Sequence, residues 1–204
     1  MRLFIVRHGE TESNRRGLAL GRADVPLNEH GRWQAGRLAK SLAAEPLAAV
    51  YASPLGRTMD TARAIAAEHR MDIQVEPDLV EMDIGEMDGL TFAEVRSRYP
   101  RLLEAWAGTE GPETPMPGGE RLVDVQQRAW AALQFITMRH PDEKVCVVTH
   151  NFVILSLVAT VLKIDLSHFR RLRQAVAAIT ILDVASERVR IVRLNDICHL
   201  DGED

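Results

Sequence analysis

Two histidines in this chain close runs of apolar residues. His8 follows Leu3-Phe4-Ile5-Val6-Arg7, and His150 follows Val145-Cys146-Val147-Val148-Thr149. A strand that merely ends hands over to Asn, Asp or Gly. These two instead present imidazoles at their tips, the first with Arg7 beside it. Arg57 opens a helical segment after Tyr51-Ala52-Ser53-Pro54, where its charge opposes the positive end of the helix dipole. Two imidazoles and two guanidiniums at one edge of a sheet repel one another and lose hydration, so the partner they call for is an anion. Arginine forks match phosphate oxygens in pairs, and a neutral imidazole can attack phosphorus. A second histidine can donate to the equatorial oxygens as charge spreads in the transition state. The sequence has no Walker-type glycine loop and no carboxylate cluster that suggests magnesium. The expected chemistry is therefore phosphoryl transfer through a phosphohistidine, with no metal and no cofactor.

The elements that must hold these residues follow from hydrophobic periodicity. Strands are expected at residues 2–7, 48–54, 71–77, 144–150, 175–184 and 188–194. Helices are expected at 27–45, 56–70, 92–106, 122–139 and 152–162. The helix after Asn28, a candidate N-cap, carries Trp33, Ala35, Leu38, Ala39 and Leu42 as its apolar set. Strand and helix alternate, and the central strands are apolar on both faces. That pattern implies an α/β protein of three layers, a mainly parallel central sheet with helices on both faces. A short Ala185-Ser186-Glu187 turn makes the last two strands an antiparallel hairpin. In open α/β sheets function gathers at the carboxyl ends of strands, which places Arg7, His8, Ser53, Arg57 and His150 together. Glycine and proline crowd residues 78–120, which read as a small insertion or lid on a single domain spanning 1–204.

The stretch Arg7-His8-Gly9-Glu10-Thr11-Glu12-Ser13-Asn14 closely resembles the signature of the histidine phosphatase superfamily, the phosphoglycerate-mutase-like proteins. The resemblance continues in the same order through residues 21–35, 51–62, 79–91, 117–125, 147–151 and 194–200. It implies that His8 is the nucleophile and that Arg7, Arg57 and His150 complete the phosphate pocket. The residues themselves leave the proton donor open among Glu76, Asp78, Glu81, Asp83 and Glu86; the resemblance selects Glu81. It also sets Asn14 and the backbone near Gly21 against bound substrate. Asn151-Phe152 departs from the small pair usual after the second histidine, so Asn151 is expected to narrow the phosphate pocket or add a hydrogen bond. Residues 174–182 lack the polar side chains often found before that strand, a second departure that bears on specificity.

The resemblance points to the phosphatase branch: a metal-independent phosphomonoesterase acting on small phosphate esters. The alternative is a cofactor-dependent phosphoglycerate mutase, disfavoured because Gly111–Glu120 lacks the basic cluster that would grip a sugar-acid carboxylate. A non-catalytic phosphate-ester sensor would have lost the nucleophile or the acid. A formal net charge of −4 excludes a broad basic field for nucleic acid. No apolar run approaches the ~18 residues of a membrane span, and the start of the chain lacks a signal-peptide core. With only Cys146 and Cys198, and no CxxC pair, the chain reads as a cytoplasmic protein with reduced cysteines. The resemblance adds a homodimer. His30, His69, His140 and His168 read as solvated, and His199 is given no role.

Overall fold

In the computed structural model, which describes residues 1–185 and 188–201, one six-stranded sheet runs in the order β3-β2-β4-β1-β5-β6. The strands are β1 (Arg2–Arg7), β2 (Leu47–Ala52), β3 (Ile73–Val75), β4 (Lys144–Thr149), β5 (Ile179–Ala185) and β6 (Arg188–Asp196). β3, β2, β4 and β1 are parallel; β5 is antiparallel to β1, and β6 to β5. The architecture is the expected α/β one with a mainly parallel sheet. The turn expected between β5 and β6 falls largely on Ser186 and Glu187, outside the described residues.

The helices are α1 (Glu12–Arg16), α2 (Glu29–Leu42), α3 (Gly56–His69), α4 (Phe92–Arg98), α5 (Pro100–Ala107), α6 (Leu122–Arg139) and α7 (Asn151–Leu162). Alternation along the strands builds two cores. Phe4, Val6, Val50, Cys146 and Val148 pack against Leu38, Leu42, Ala62 and Ile65 of α2 and α3. Leu3, Ile5, Tyr51, Val145 and Val147 pack against Leu133, Ile136, Ile154 and Leu157 of α6 and α7. Cys146 is buried in the first core, and burial pushes its thiol up to about 12. Among the described residues no helix is long and apolar enough to cross a membrane.

Several expectations need correction. Trp33 is exposed, stacked on His30 at 5.1 Å between centroids, while Gln34 takes the buried place and accepts the Glu10 N–H at 2.8 Å. The buried face of α2 follows Gln34, Ala35, Leu38, Ala39 and Leu42, a spacing that Trp33 does not share. Residues 92–106 form two helices, because Pro100 cannot continue α4 and instead starts α5. Residues 175–178 are not strand: Ala177 has a positive φ of 55°, and β5 begins at Ile179. His140 is bonded to Glu143 at 2.6 Å and to the Tyr51 hydroxyl at 3.1 Å rather than solvated. The other cysteine, Cys198, is exposed.

Candidate active site

β1 and β4 lie side by side in register, with Arg7 opposite Thr149. His8 and His150 therefore leave the sheet as neighbours, their rings edge to face at 5.2 Å between centroids. The chain after His8 turns through Gly9, which lies so close to Gly31 that a Cβ there would meet the Gly31 carbonyl oxygen at 2.5 Å. That contact seats the Gly9–Thr11 segment against the start of α2. His8 Nδ1 lies 2.7 Å from the Gly9 carbonyl oxygen. A carbonyl only accepts, so Nδ1 carries the proton and Nε2 keeps its lone pair.

The chain after β4 passes directly into α7, with His150 as its N-cap residue. His150 Nε2 is 2.7 Å from Ser53 Oγ, and its Nδ1 is buried without a partner. Both rings are almost completely buried. Burial, followed by Arg7 and Arg57 for His8 and by Arg57 and His8 for His150, holds both pKa values well below the ordinary 6.5. Both imidazoles are therefore neutral at pH 7.

Two guanidiniums complete the floor. Arg57 is fully buried near the start of α3; its Nη1 and Nη2 donate to the carbonyls of Ala23 and Gly21, each at 2.7 Å. Arg7 donates through Nη1 to the Gln174 carbonyl at 2.5 Å. Arg7 is half-buried, and burial pushes its pKa down to about 10. The Nε of each arginine is buried without a partner. Arg7 Nε, Arg57 Nε and His150 Nδ1 thus make up three of the five such side-chain atoms among the described residues. Unpaired buried polar nitrogens are costly, and an oxyanion set among these three would satisfy them.

Glu81 is buried, with its carboxylate against the start of α7. Its carboxylate accepts from the backbone N–H of Met82 at 2.9 Å and of Phe152 at 3.2 Å. Burial nevertheless pushes its pKa up from 4.5, against the pull of those bonds and of Arg57 and Arg7. Glu76, Asp78, Asp83 and Glu86 do not share this burial.

The residues expected at the site divide. Arg7, His8, Arg57, Glu81 and His150 come together. The Asn14 carboxamide oxygen accepts from the backbone and hydroxyl of Thr11 as part of the cap of α1. Gly21 is occupied on both sides, its N–H by Asp88 at 3.0 Å and its carbonyl by Arg57. A Cβ at Gly21 would lie 2.6 Å from Ile84 Cγ1, so glycine is what lets this carbonyl reach Arg57. Asn151 opens α7 and is half-buried.

The structure also shows supports that the sequence reading missed. Arg128, in the interior of α6, donates to the carbonyls of Asp78, Val80 and Glu81 at 2.7, 2.6 and 3.1 Å. Glu120 pairs with Arg128 at 3.0 Å and with Arg22 at 3.0 Å, and accepts the Asp83 N–H at 2.9 Å. Arg22 adds a bond to the Glu81 carbonyl at 3.2 Å. These three side chains fix the backbone that carries Glu81. The motif position of Arg22, directly after Gly21, was the available signal; Arg128, in mid-helix, gave none. Gln174 likewise belongs to a segment read as near-strand. Its neighbours Ala177 and Ala178 bond the backbone of His8 and Arg7 and so wrap the end of β1.

Comparison with known proteins follows the same outline. The family model described as histidine phosphatase superfamily (branch 1) matches residues 3–197. Phosphoserine phosphatase 1 of Hydrogenobacter thermophilus is 34% identical over 200 residues, covering 98% of this chain and 94% of that protein. Phosphoglycerate mutase-like protein 4 of Arabidopsis thaliana is 38% identical over 157 residues, 76% of this chain and 68% of that protein. Among solved structures, Bacillus stearothermophilus YhfR superposes with a TM-score of 0.92 at 34% identity, covering 98% of this chain and 99% of that one.

Proposed function

The chain belongs to the histidine phosphatase superfamily, and from that membership we propose that it is a metal-independent phosphomonoesterase working through a phosphohistidine on His8. The observation that carries the reading is the convergence of three unpartnered buried nitrogens, those of Arg7, Arg57 and His150, beside an imidazole whose Nε2 is kept free. The phosphoryl oxygens would take those donors, which also meet the charge that spreads over them in the transition state. His8 Nε2 attacks phosphorus as the bond to the leaving oxygen breaks. Nδ1 keeps its proton on the Gly9 carbonyl, which eases the positive charge forming on the ring.

Glu81, protonated more readily than an ordinary glutamate, gives its proton to the leaving oxygen. The resulting carboxylate then takes a proton from water as the water attacks phosphorus and the His8–phosphorus bond breaks. Steering by Arg22, Arg128 and Glu120 holds that carboxylate in line through both halves of the cycle.

Glu81→Gln tests the assignment of the acid. Its kcat/KM, which reports the step in which the leaving group departs, is expected to fall by about 10²–10³ for alkyl phosphates, within the usual range for general acid catalysis, but much less for nitrophenyl phosphate, whose leaving group needs little protonation. Equal slowing of both esters would move the role to another residue.

A further inference from the structure

Next to the catalytic floor lies a cavity of about 370 Å³ under α4 and α5. Leu20, Ile84, Val95, Leu103, Trp106 and Phe152 stand among the residues that line it. It begins where the reacting groups end. The Phe152 backbone N–H donates to the Glu81 carboxylate. Leu20 directly precedes Gly21, whose carbonyl holds Arg57. Ile84 packs against Gly21 itself.

The chemistry of the lining is one-sided. It contains no charged side chain, and its one side-chain polar atom, Trp106 Nε1, is already spent on the Thr114 carbonyl at 3.1 Å. The Trp106 ring is held edge-on by Phe152 and Phe169, at 5.9 and 5.4 Å between centroids, with Arg170 over the ring. A group entering this space gives up water and finds no free side-chain hydrogen-bond partner in return. That is costly for an ammonium, a carboxylate or a sugar hydroxyl and favourable for carbon.

We propose that this cavity receives an apolar leaving group, so that the substrates are phosphate esters of alkyl or aryl alcohols rather than of amino acids or sugars. The proposal rests on the phosphomonoesterase reading of the strand-end cluster. The volume lies within the ~300–1,000 Å³ usual for small-molecule sites. The ester oxygen stays at Glu81, and the carbon chain extends away from it under α4 and α5.

The test is a binding series run beside a turnover series. Straight-chain alkylphosphonates from ethyl to octyl, which cannot be hydrolysed, are titrated by calorimetry against the intact protein. The dissociation constant is expected to fall by about fourfold per added methylene until the cavity is full, with an increasingly negative heat-capacity change. The matching alkyl phosphates have leaving groups of nearly equal acidity, so a parallel rise in kcat/KM reports the cavity and not the chemistry.

Phe92→Ser, at an exposed lining position, and Leu103→Ser should each flatten both series. A dissociation constant that does not change with chain length overturns the proposal. So does a kcat/KM for phosphoserine above that for octyl phosphate. If the binding series steepens and no ester turns over, the cavity assignment stands and the phosphomonoesterase reading falls. If esters turn over and the binding series is flat, the reverse holds.

Discussion

β1 and β4 are neighbouring parallel strands of equal length, each is followed directly by a histidine, and the two rings meet edge to face. Their continuations differ. After β1 the backbone folds back so that the Gly9 carbonyl faces His8 Nδ1. After β4 the chain enters α7 at once, and His150 meets a hydroxyl, Ser53 Oγ, through Nε2. A carbonyl dictates one tautomer; a hydroxyl, both donor and acceptor, serves either. One residue type at two equivalent places is thus split by its local partner into an imidazole with a free lone pair and one with a free Nδ1. The separation of roles lies in the turn chemistry that follows each strand, not in the strands themselves.

Exchange of the two histidines breaks that comparison most sharply. His8→Ala should lower turnover of an aryl phosphate by roughly 10⁴ or more, as loss of a nucleophile does, and no acid-labile phosphoprotein should be trapped after mixing with substrate. His150→Asn should cost less, about 10²–10³, the range for one donor to a developing oxyanion. It should still accumulate the labelled phosphoprotein, slowly. Equal losses in the two variants, with no phosphoprotein in either, would erase the distinction between the strand ends.

A second difference between the same groups and Glu81 is their opposite response to pH. The two histidines have depressed pKa values when folded, so below 6.5 the unfolded chain binds protons that the native state refuses. Stability therefore rises with pH through the window below 6.5 and is complete above it. Glu81 is shifted the other way, so the native state holds its proton beyond 4.5 and loses stability as pH climbs through its raised value. The melting temperature between pH 5 and 6.5 measures the balance. Replacing both histidines by asparagine should reduce the upward slope, and Glu81→Gln should steepen it. In the rate profile, Glu81→Gln should remove the alkaline limb that deprotonation of the acid produces.

How far the chain disclosed this arrangement depends on the range of the interactions involved. β1 and α6 could be read to the residue, because an apolar run or a 3.6-residue period is a local pattern. Arg7, His8, Arg57 and His150 were legible because charge at the tip of a buried strand or the start of a helix conflicts with local preference. The support for Glu81 was not. Arg128 and Glu120 lie 47 and 39 positions further along the chain, and their bonds to this loop run to backbone groups, carbonyls for Arg128 and the Asp83 N–H for Glu120, which leave no side-chain signature. The stretch 175–178 misled for a related reason. Its alanines and valine suit a strand, but the backbone there is taken up by bonds to Arg7 and His8. The wide apolar face expected of α2 lost Trp33 because Gln34 was needed inside to bind Glu10.

The smallest expected effect probes the hydroxyl that sets His150 apart. If Ser53 donates to Nε2, the proton of His150 stays on Nδ1, which like the Nε of Arg7 and of Arg57 is buried without a partner. Ser53 is itself fully buried at the end of β2, and its carbonyl holds the Thr58 hydroxyl at 2.9 Å, so alanine fits the same backbone without opening the site. Ser53→Ala removes the one partner of Nε2 and lets the proton settle on either nitrogen. Turnover should fall by about fivefold, the equivalent of the ~1 kcal/mol typical of one hydrogen bond. The binding of vanadate, a phosphate-shaped oxyanion, should weaken by a similar factor. Ser53→Cys, whose thiol is a weak donor, should fall between the two. Because His8 takes its tautomer from Gly9, the fraction of enzyme trapped as phosphoprotein should be unaltered in kind: same residue, same acid lability. Loss of the phosphoprotein in Ser53→Ala would mean that the two strand ends are coupled through the ring contact and do not act as separate groups.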